Sequence, residues 1–197
     1  EAQKQLWLPK LASGEAVGTF AFHEGRSRTT SESISALVKG GKLSGTKTPV
    51  ADGMAAEIAV VAARDEAGSV SLYLADLGAK GVERELLDSI DPTRPLAKIA
   101  FRDVPVEPLG GQGDGWNIVT QVLDRAAILL AFEQLGGADR ALEMARDYAQ
   151  ERMAFGRPIA SFQAIKHILA DMYVSATLAR SNCYYGAWAL NADAAEL

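Results

Sequence analysis

Cysteine, histidine and aromatic side chains are scarce in this chain, and each scarcity removes a class of chemistry. The one cysteine, Cys183, excludes an internal disulfide and fits a reducing compartment, so a cytoplasmic location is expected. The two histidines, His23 and His167, lie far apart with no cysteine or acid cluster around either, and no metal site is expected. Ser27, Ser31 and Ser33 have no nucleophile-elbow context and read as loop residues of a mobile segment, 25–33. No apolar run approaches the length of a membrane span, and nothing resembles a signal peptide. A formal charge of −5 argues against a nucleic-acid partner. The glycine-rich stretch 108–115 lacks the Gly-Lys-Ser/Thr ending of a phosphate-binding loop and reads as a hinge, with Asp114 placed to cap the helix that follows. The first residue is not Met, and the chain begins and ends (195–197) in helical composition, so it reads as an internal piece of something longer.

What is present divides into a β part and an α part. With 197 residues, 48% of them hydrophobic, there is enough apolar material for one sizeable domain or parts of two. Residues 3–11 read as a helix end. Strand candidates follow at 17–22, 33–38 (with Ile34, Ala36 and Val38 facing inward), 42–48, 57–63, 69–75, 82–87 and 96–101. Gly40-Gly41 between the second and third is a hairpin signal, because two glycines supply the positive φ of a tight turn. Short strands at close spacing predict a small barrel or sandwich within about 15–108.

From Trp116 onward the spacing is helical. Small or apolar residues fall at Ile128, Ala131, Leu135, Ala138, Leu142, Ala145 and Ala149, then at Phe162, Ile165, Leu169, Met172, Ala176, Ala179 and Cys183. Steps of three and four define one buried stripe on each of two long helices, which makes Cys183 a core residue. Between them, ERMAFGRPI (151–159) followed by Ser161-Phe162-Gln163 forms a short turn where arginine, glycine, proline and aromatics crowd together. Arg152 at a helix end gains from the dipole whatever its role. With Phe155, Arg157 and Gln163 beside it, and Ser161 placed to cap the next helix, it also suits a pyrophosphate carrying an aromatic base.

These residues carry a resemblance. QKQLWLPKLASG (3–14), Gly45-Thr46-Lys47, FRDVPV (101–106), GDGW (113–116), ERMAFGRPI, Phe162-Gln163 and HILADM (167–172) together make the chain similar to the acyl-CoA dehydrogenase family of flavoproteins over nearly its whole length. The resemblance implies an α+β fold in three parts. These are the end of an N-terminal helical domain (1–14), a middle β-barrel or sandwich domain (15–108), and the first long antiparallel helices of a C-terminal four-helix bundle (109–197). It implies FAD as cofactor, an acyl-CoA as substrate, an electron-transfer flavoprotein as partner, and a homo- or hetero-oligomer, dimer or tetramer. Arg152, Phe155 and Gln163 match the family positions that reach the pyrophosphate and adenine side of a neighbouring subunit's FAD. On the β side, Phe22 and His23 stand at the start of the family's T-E-P-G-x-G-S-D run, with His23 in place of Thr and the run continuing through Glu24, Gly25, Arg26, Ser27 and Arg28. Pro49-Val50-Ala51-Asp52-Gly53 stands where the family has W-I-T-N-G, so Pro49 cannot stack like Trp and Ala51 has no hydroxyl. Leu123 and Asp124 match a substrate-contacting L-D-x-x-R, with Ala127 in place of its arginine. Ala126 occupies one alternative position of the catalytic glutamate; in most members that base lies on a later helix, beyond Leu197. The resemblance implies an α,β-dehydrogenation giving a trans-2-enoyl-CoA, performed either by a homomeric enzyme or by a heteromer in which this chain is the non-catalytic partner, as in bacterial steroid degradation. A structural or regulatory relative on the same scaffold, or a flavin monooxygenase or nitroalkane oxidase relative, are further readings.

Overall fold

The computed structural model describes residues 2–25 and 27–192; Arg26 and the chain end 195–197 noted above lie outside the described residues. Contacts divide the chain into two compact units, 1–120 and 121–197.

The first unit opens with helix α1 (Ala2–Ser13). Seven strands follow: β1 (Gly18–Ala21), β2 (Leu37–Lys39), β3 (Lys42–Ala51), β4 (Ile58–Arg64), β5 (Val70–Asp76), β6 (Val82–Leu87) and β7 (Leu96–Leu109). Neighbour pairing runs β4–β2–β3–β7–β5 and returns to β4, so the sheet closes on itself; β1 joins the edge of β4, and β6 pairs with β7. The expected barrel is thus present. The hairpin at Gly40 and Gly41 is there too, with φ of 56° and 72° and β2 antiparallel to β3. Strand β7 runs eight residues past the expected end at Phe101, because its second half pairs with β5 after its first half has paired with β3 and β6.

Strand β4 reads Ile-Ala-Val-Val-Ala-Ala-Arg, apolar on both faces, and the structure uses both. Ala59, Val61 and Ala63 point into the barrel with Leu43, Val50, Tyr73, Ile99 and Phe101. Ala62 and half-buried Val60 face a second cluster with Ile34, Leu72, Trp116 and Val119. A strand covered on both sides has no reason to alternate. The glycine-rich segment before the last helices is tied down here. Gly113 N–H donates to Ser71 Oγ at 2.7 Å, and a Cβ on Gly115 would stand 2.7 Å from the Ser71 backbone.

The seam between β2 and β4 is the weak point of the closed sheet, with one residue pair in register, Leu37 with Arg64. Charged side chains carry the closure. The Glu24 carboxylate accepts hydrogen bonds from the backbone N–H of Ser35 (2.7 Å) and Ala36 (3.0 Å), from Ser35 Oγ, and from Lys47 Nζ (2.6 Å). Lys47 on β3 is completely buried, and the Glu24 side chain is 8% exposed. The Arg64 guanidinium donates to the carbonyls of Ser31, Ile34 and Gly68. In the segment 25–33, expected to be mobile, Gly25 and residues 29–33 are held by hydrogen bonds, with a short 3-10 turn at Ser31–Ser33 closed by a reciprocal Thr30–Ser33 capping box.

In the second unit, the long helix α2 (Gly115–Glu151) is followed by α3 (Gln163–Ala192). They run antiparallel: Phe132 meets Tyr184 edge to face, and Asp139 pairs with Arg180. The expected stripes are the buried ones at Leu135, Ala149, Ala176 and Cys183, whereas Ala138 and Ala179 are exposed and Arg180 takes the inner position instead. Tyr173, Leu178, Tyr184 and Trp188 stay more than half exposed, because two helices cannot cover this much apolar surface. Among the described residues, no helix is long and apolar enough to cross a membrane.

Burial alone would raise the Glu24 pKa, but the ammonium of Lys47, the Ser35 hydroxyl and the Ala36 N–H outweigh it and hold the carboxyl below its usual 4.5. Its contribution to stability is therefore complete above about pH 4.5 and is lost as pH falls through the lower, folded-state value. Glu24→Gln leaves the Lys47 charge buried and unpaired, and urea titration at pH 7 is expected to show a loss of about 3–5 kcal/mol. The loss should shrink once pH falls through the lowered folded-state value, where the native carboxyl is itself protonated.

Candidate functional site

The turn between the long helices is a two-residue β-hairpin. Strands β8 (Met153–Ala154) and β9 (Arg157–Pro158) pair antiparallel around Phe155 and Gly156. Both turn residues have positive φ, 54° and 77°, the conformation a tight hairpin turn demands. Glycine adopts it freely; an aromatic residue does so at a cost. The hairpin is clamped at its base by the Arg152 backbone, whose N–H closes the last turn of α2 on Tyr148 and whose carbonyl accepts from Ile159 N–H.

This fold puts Phe155 in solvent, 96% exposed, with its edge against the Phe162 ring at 6.1 Å between centroids. Arg157 covers the face of the same ring, its guanidinium carbon 4.2 Å from the centroid. Arg152 is exposed, and among the described residues no hydrogen bond or ion pair engages its guanidinium. Gln163 opens α3, its amide 3.0 Å from His167 Nε2 one turn on. Arg152, Phe155 and Gln163 thus gather around one hairpin. The expected Ser161 cap is not formed: its hydroxyl donates to the Pro158 carbonyl inside a 3-10 turn, and Phe162 takes the cap position before α3.

Leu123, Asp124 and Ala126 lie near the other end of α2, all exposed. The 28 residues from Asp124 to Arg152 are helical almost throughout, a rise of roughly 40 Å at 1.5 Å per residue. The helix therefore carries two separate candidate sites, one toward each end.

In the β unit, Phe22 and His23 are half-buried, their rings 4.0 Å apart. His23 Nδ1 is 2.6 Å from Thr29 Oγ1. Burial and then the nearby Lys47 charge push the imidazole below its usual pKa of 6.5, so the ring is neutral at pH 7. At the positions of the family's aromatic and hydroxyl, Pro49 and Ala51 offer no side-chain donor, and the Ala51 carbonyl accepts the Thr19 hydroxyl at 2.6 Å. No group of three or more metal-binding side chains occurs among the described residues. Three features had no place in the reading of the residues by themselves: the Glu24–Lys47 pair, the Arg157–Phe162 stack and the Gln163–His167 contact. Lys47 stands four residues after Leu43, at the same alternation on β3, and that spacing was the available signal for the first.

A closed β unit followed by a long helix pair joined by a cationic hairpin defines a recognisable class. Residues 113–196 match the family model described as acyl-CoA dehydrogenase, C-terminal domain. An acyl-CoA dehydrogenase of Bacillus subtilis (strain 168) is 37% identical over 208 residues, covering 95% of this chain and 53% of its own length. The solved butyryl-CoA dehydrogenase of Megasphaera elsdenii superposes with a TM-score of 0.88 at 30% identity, over 98% of this chain and 54% of that one. The solved Tcur3481-Tcur3483 steroid ACAD gives 0.80 at 29% identity, over 98% and 53%. The chain belongs to the acyl-CoA dehydrogenase family. It spans about half the length of the curated relatives it matches.

Because the turn at Phe155 demands a conformation that glycine adopts without penalty, Phe155→Gly is expected to leave thermal stability unchanged or raise it by about 1 kcal/mol. A substantial drop in melting temperature would instead make the ring a packing element of the hairpin.

Proposed function

We propose that this chain is a subunit of an FAD-dependent acyl-CoA dehydrogenase, an oxidoreductase that converts an acyl-CoA thioester to its trans-2-enoyl-CoA, and that it completes the FAD site of a neighbouring subunit. The observation that carries the second part is the distance along α2. A cofactor whose flavin ring works near Asp124 cannot also reach Arg152, roughly 40 Å away along the same helix. The Arg152 hairpin must then serve another cofactor.

The hairpin's donor set fits the dinucleotide. Arg152 offers an unpaired guanidinium to a diphosphate, Gln163 an amide beside the first N–H groups of α3, and Phe155 a fully presented ring for the adenine. The β-unit positions fit less well, since neither Pro49 nor Ala51 supplies a side-chain hydrogen bond and His23 is engaged by Thr29. FAD, when bound, supplies the acceptor for the hydride leaving the β-carbon of the acyl chain. Leu123 and Asp124 line the end of α2 where the thioester is expected, and Ala126 offers no carboxylate to take the α-proton. On this reading the chain is the lending partner, and the likeness to a steroid ACAD whose name joins two components supports a heteromer. We place it in three parts, 1–14, 15–108 and 109–197, working in the cytoplasm on a steroid or fatty acyl-CoA, with an electron-transfer flavoprotein as the electron acceptor.

Co-expression with a paralogous subunit tests the division of labour. The complex should hold FAD, and the subunit purified alone should hold little; full FAD stoichiometry in the lone subunit would overturn the partner role and leave the homomeric reading. Arg152→Ala should weaken FAD retention in the assembled oligomer by about 10- to 100-fold, the worth of one charge-assisted hydrogen-bonded contact. Unchanged retention would return Arg152 to a helix-end cation.

A further inference from the structure

The reading above leaves Arg157 without a role, and the hairpin register supplies one. Ala154 pairs with Arg157 and Met153 with Pro158, and the Ile159 N–H to Arg152 carbonyl bond extends the same ladder by one step. Side chains alternate along a strand and cross-strand partners share a face. Arg152, Ala154, Arg157 and Ile159 therefore lie on one face of the hairpin, with Met153 and Pro158 on the other. The two arginines are diagonal neighbours, roughly 7–8 Å apart at the backbone, within reach of one another's long side chains. The residue between them is alanine, too short to intrude.

Two like charges on one face repel, and among the described residues neither guanidinium has a carboxylate partner. The dipole of α2 accounts for a cation at its C-terminal end, Arg152, and not for one that lies past it. Arg157 is also held in place. The guanidinium carbon lies 4.2 Å from the Phe162 ring centroid, and among the described residues no acceptor takes its N–H groups. A fixed second cation, diagonal to the first on the same face, is an arrangement that two linked phosphates can bridge, one to each guanidinium, and a single phosphate cannot.

We propose that Arg157 is a second diphosphate-binding residue, which with Arg152 makes this face of the hairpin selective for a diphosphate over a monophosphate. The inference rests on the reading of the hairpin as a dinucleotide site, and the experiment separates the two. In the assembled oligomer stripped of flavin, FAD binding is followed by flavin fluorescence, with ADP and AMP as competitors. The original protein should prefer ADP to AMP. Arg157→Met keeps an apolar chain over Phe162 but removes the charge; it should weaken FAD and ADP about tenfold, change AMP by less than about threefold, and so collapse the preference. Arg157→Lys should recover part of it. Equal weakening of ADP and AMP, or a loss of helical signal in Arg157→Met, would assign Arg157 to packing and overturn the inference. So would unaltered binding in Arg157→Met while Arg152→Ala still loses FAD, and that result would leave the proposed function standing. Unaltered binding in both variants would remove the dinucleotide site itself.

Discussion

One buried ion pair sits where the β unit closes on itself. Strands β2 and β4 meet through a single register pair, and the gap beside it is bridged by β1 on β4 and by the backbone bridge from Glu24 to Thr48 of β3. Glu24 reaches across to the Ser35 and Ala36 amides while Lys47, with no exposed surface, holds the carboxylate from β3. Burying two charges costs several kcal/mol each unless nearly every lone pair and proton finds a partner. Here the carboxylate takes four hydrogen bonds, and no buried side-chain nitrogen or oxygen among the described residues is left without one. Burial drives the Lys47 pKa down even with Glu24 beside it, so the ammonium remains the strained member of the pair. Arg64 repeats the device from the other side with four carbonyl acceptors, on Ser31, Glu32, Ile34 and Gly68. The same pair sets the surroundings of His23, next to Glu24 in sequence and kept neutral partly by the Lys47 charge.

The hairpin applies a different constraint. A helix end is a weak place for a precise site, because its last carbonyls fray. Here the chain leaves α2, makes the tightest available β-turn, and returns through a 3-10 turn into α3 within eleven residues. Backbone pairing on both sides of Phe155 and Gly156 converts a flexible connection into a small two-faced sheet. One face collects cations, and the turn projects the aromatic ring. The helix spacing then separates this face from the Asp124 end by more than one cofactor spans. On the proposed function the two candidate sites are divided along a rod, the substrate end near Asp124 and the lending end at Arg152.

Periodicity made much of this legible before any coordinates. Two-residue alternation located Ile34, Ala36 and Val38, the double glycine located the β2–β3 turn, and three–four spacing located Leu135, Ala149, Ala176 and Cys183, and these alternating and stripe residues are buried as expected. Where the reading of the residues stopped short, a nonlocal partner was responsible. Strand β7 continues past Phe101 because β5 lies waiting for its second half, and Ala138 and Ala179 are exposed because Arg180 reaches inward to Asp139. Ser161 turns back to Pro158 since the 3-10 turn offers a nearer carbonyl than α3 offers an amide.

The amino-acid sequence by itself determined the β-then-α order, the element types, the family, and the identity of the groups at the candidate cofactor turn, because these depend on local spacing and on side-chain chemistry. Only the tertiary structure decided that Glu24 and Lys47 meet, that residues 29–33 are held, and that Arg152 and Arg157 share a face. Each of these is a contact between residues whose distance in the chain says nothing of their distance in space, and strand register, not composition, brings them together.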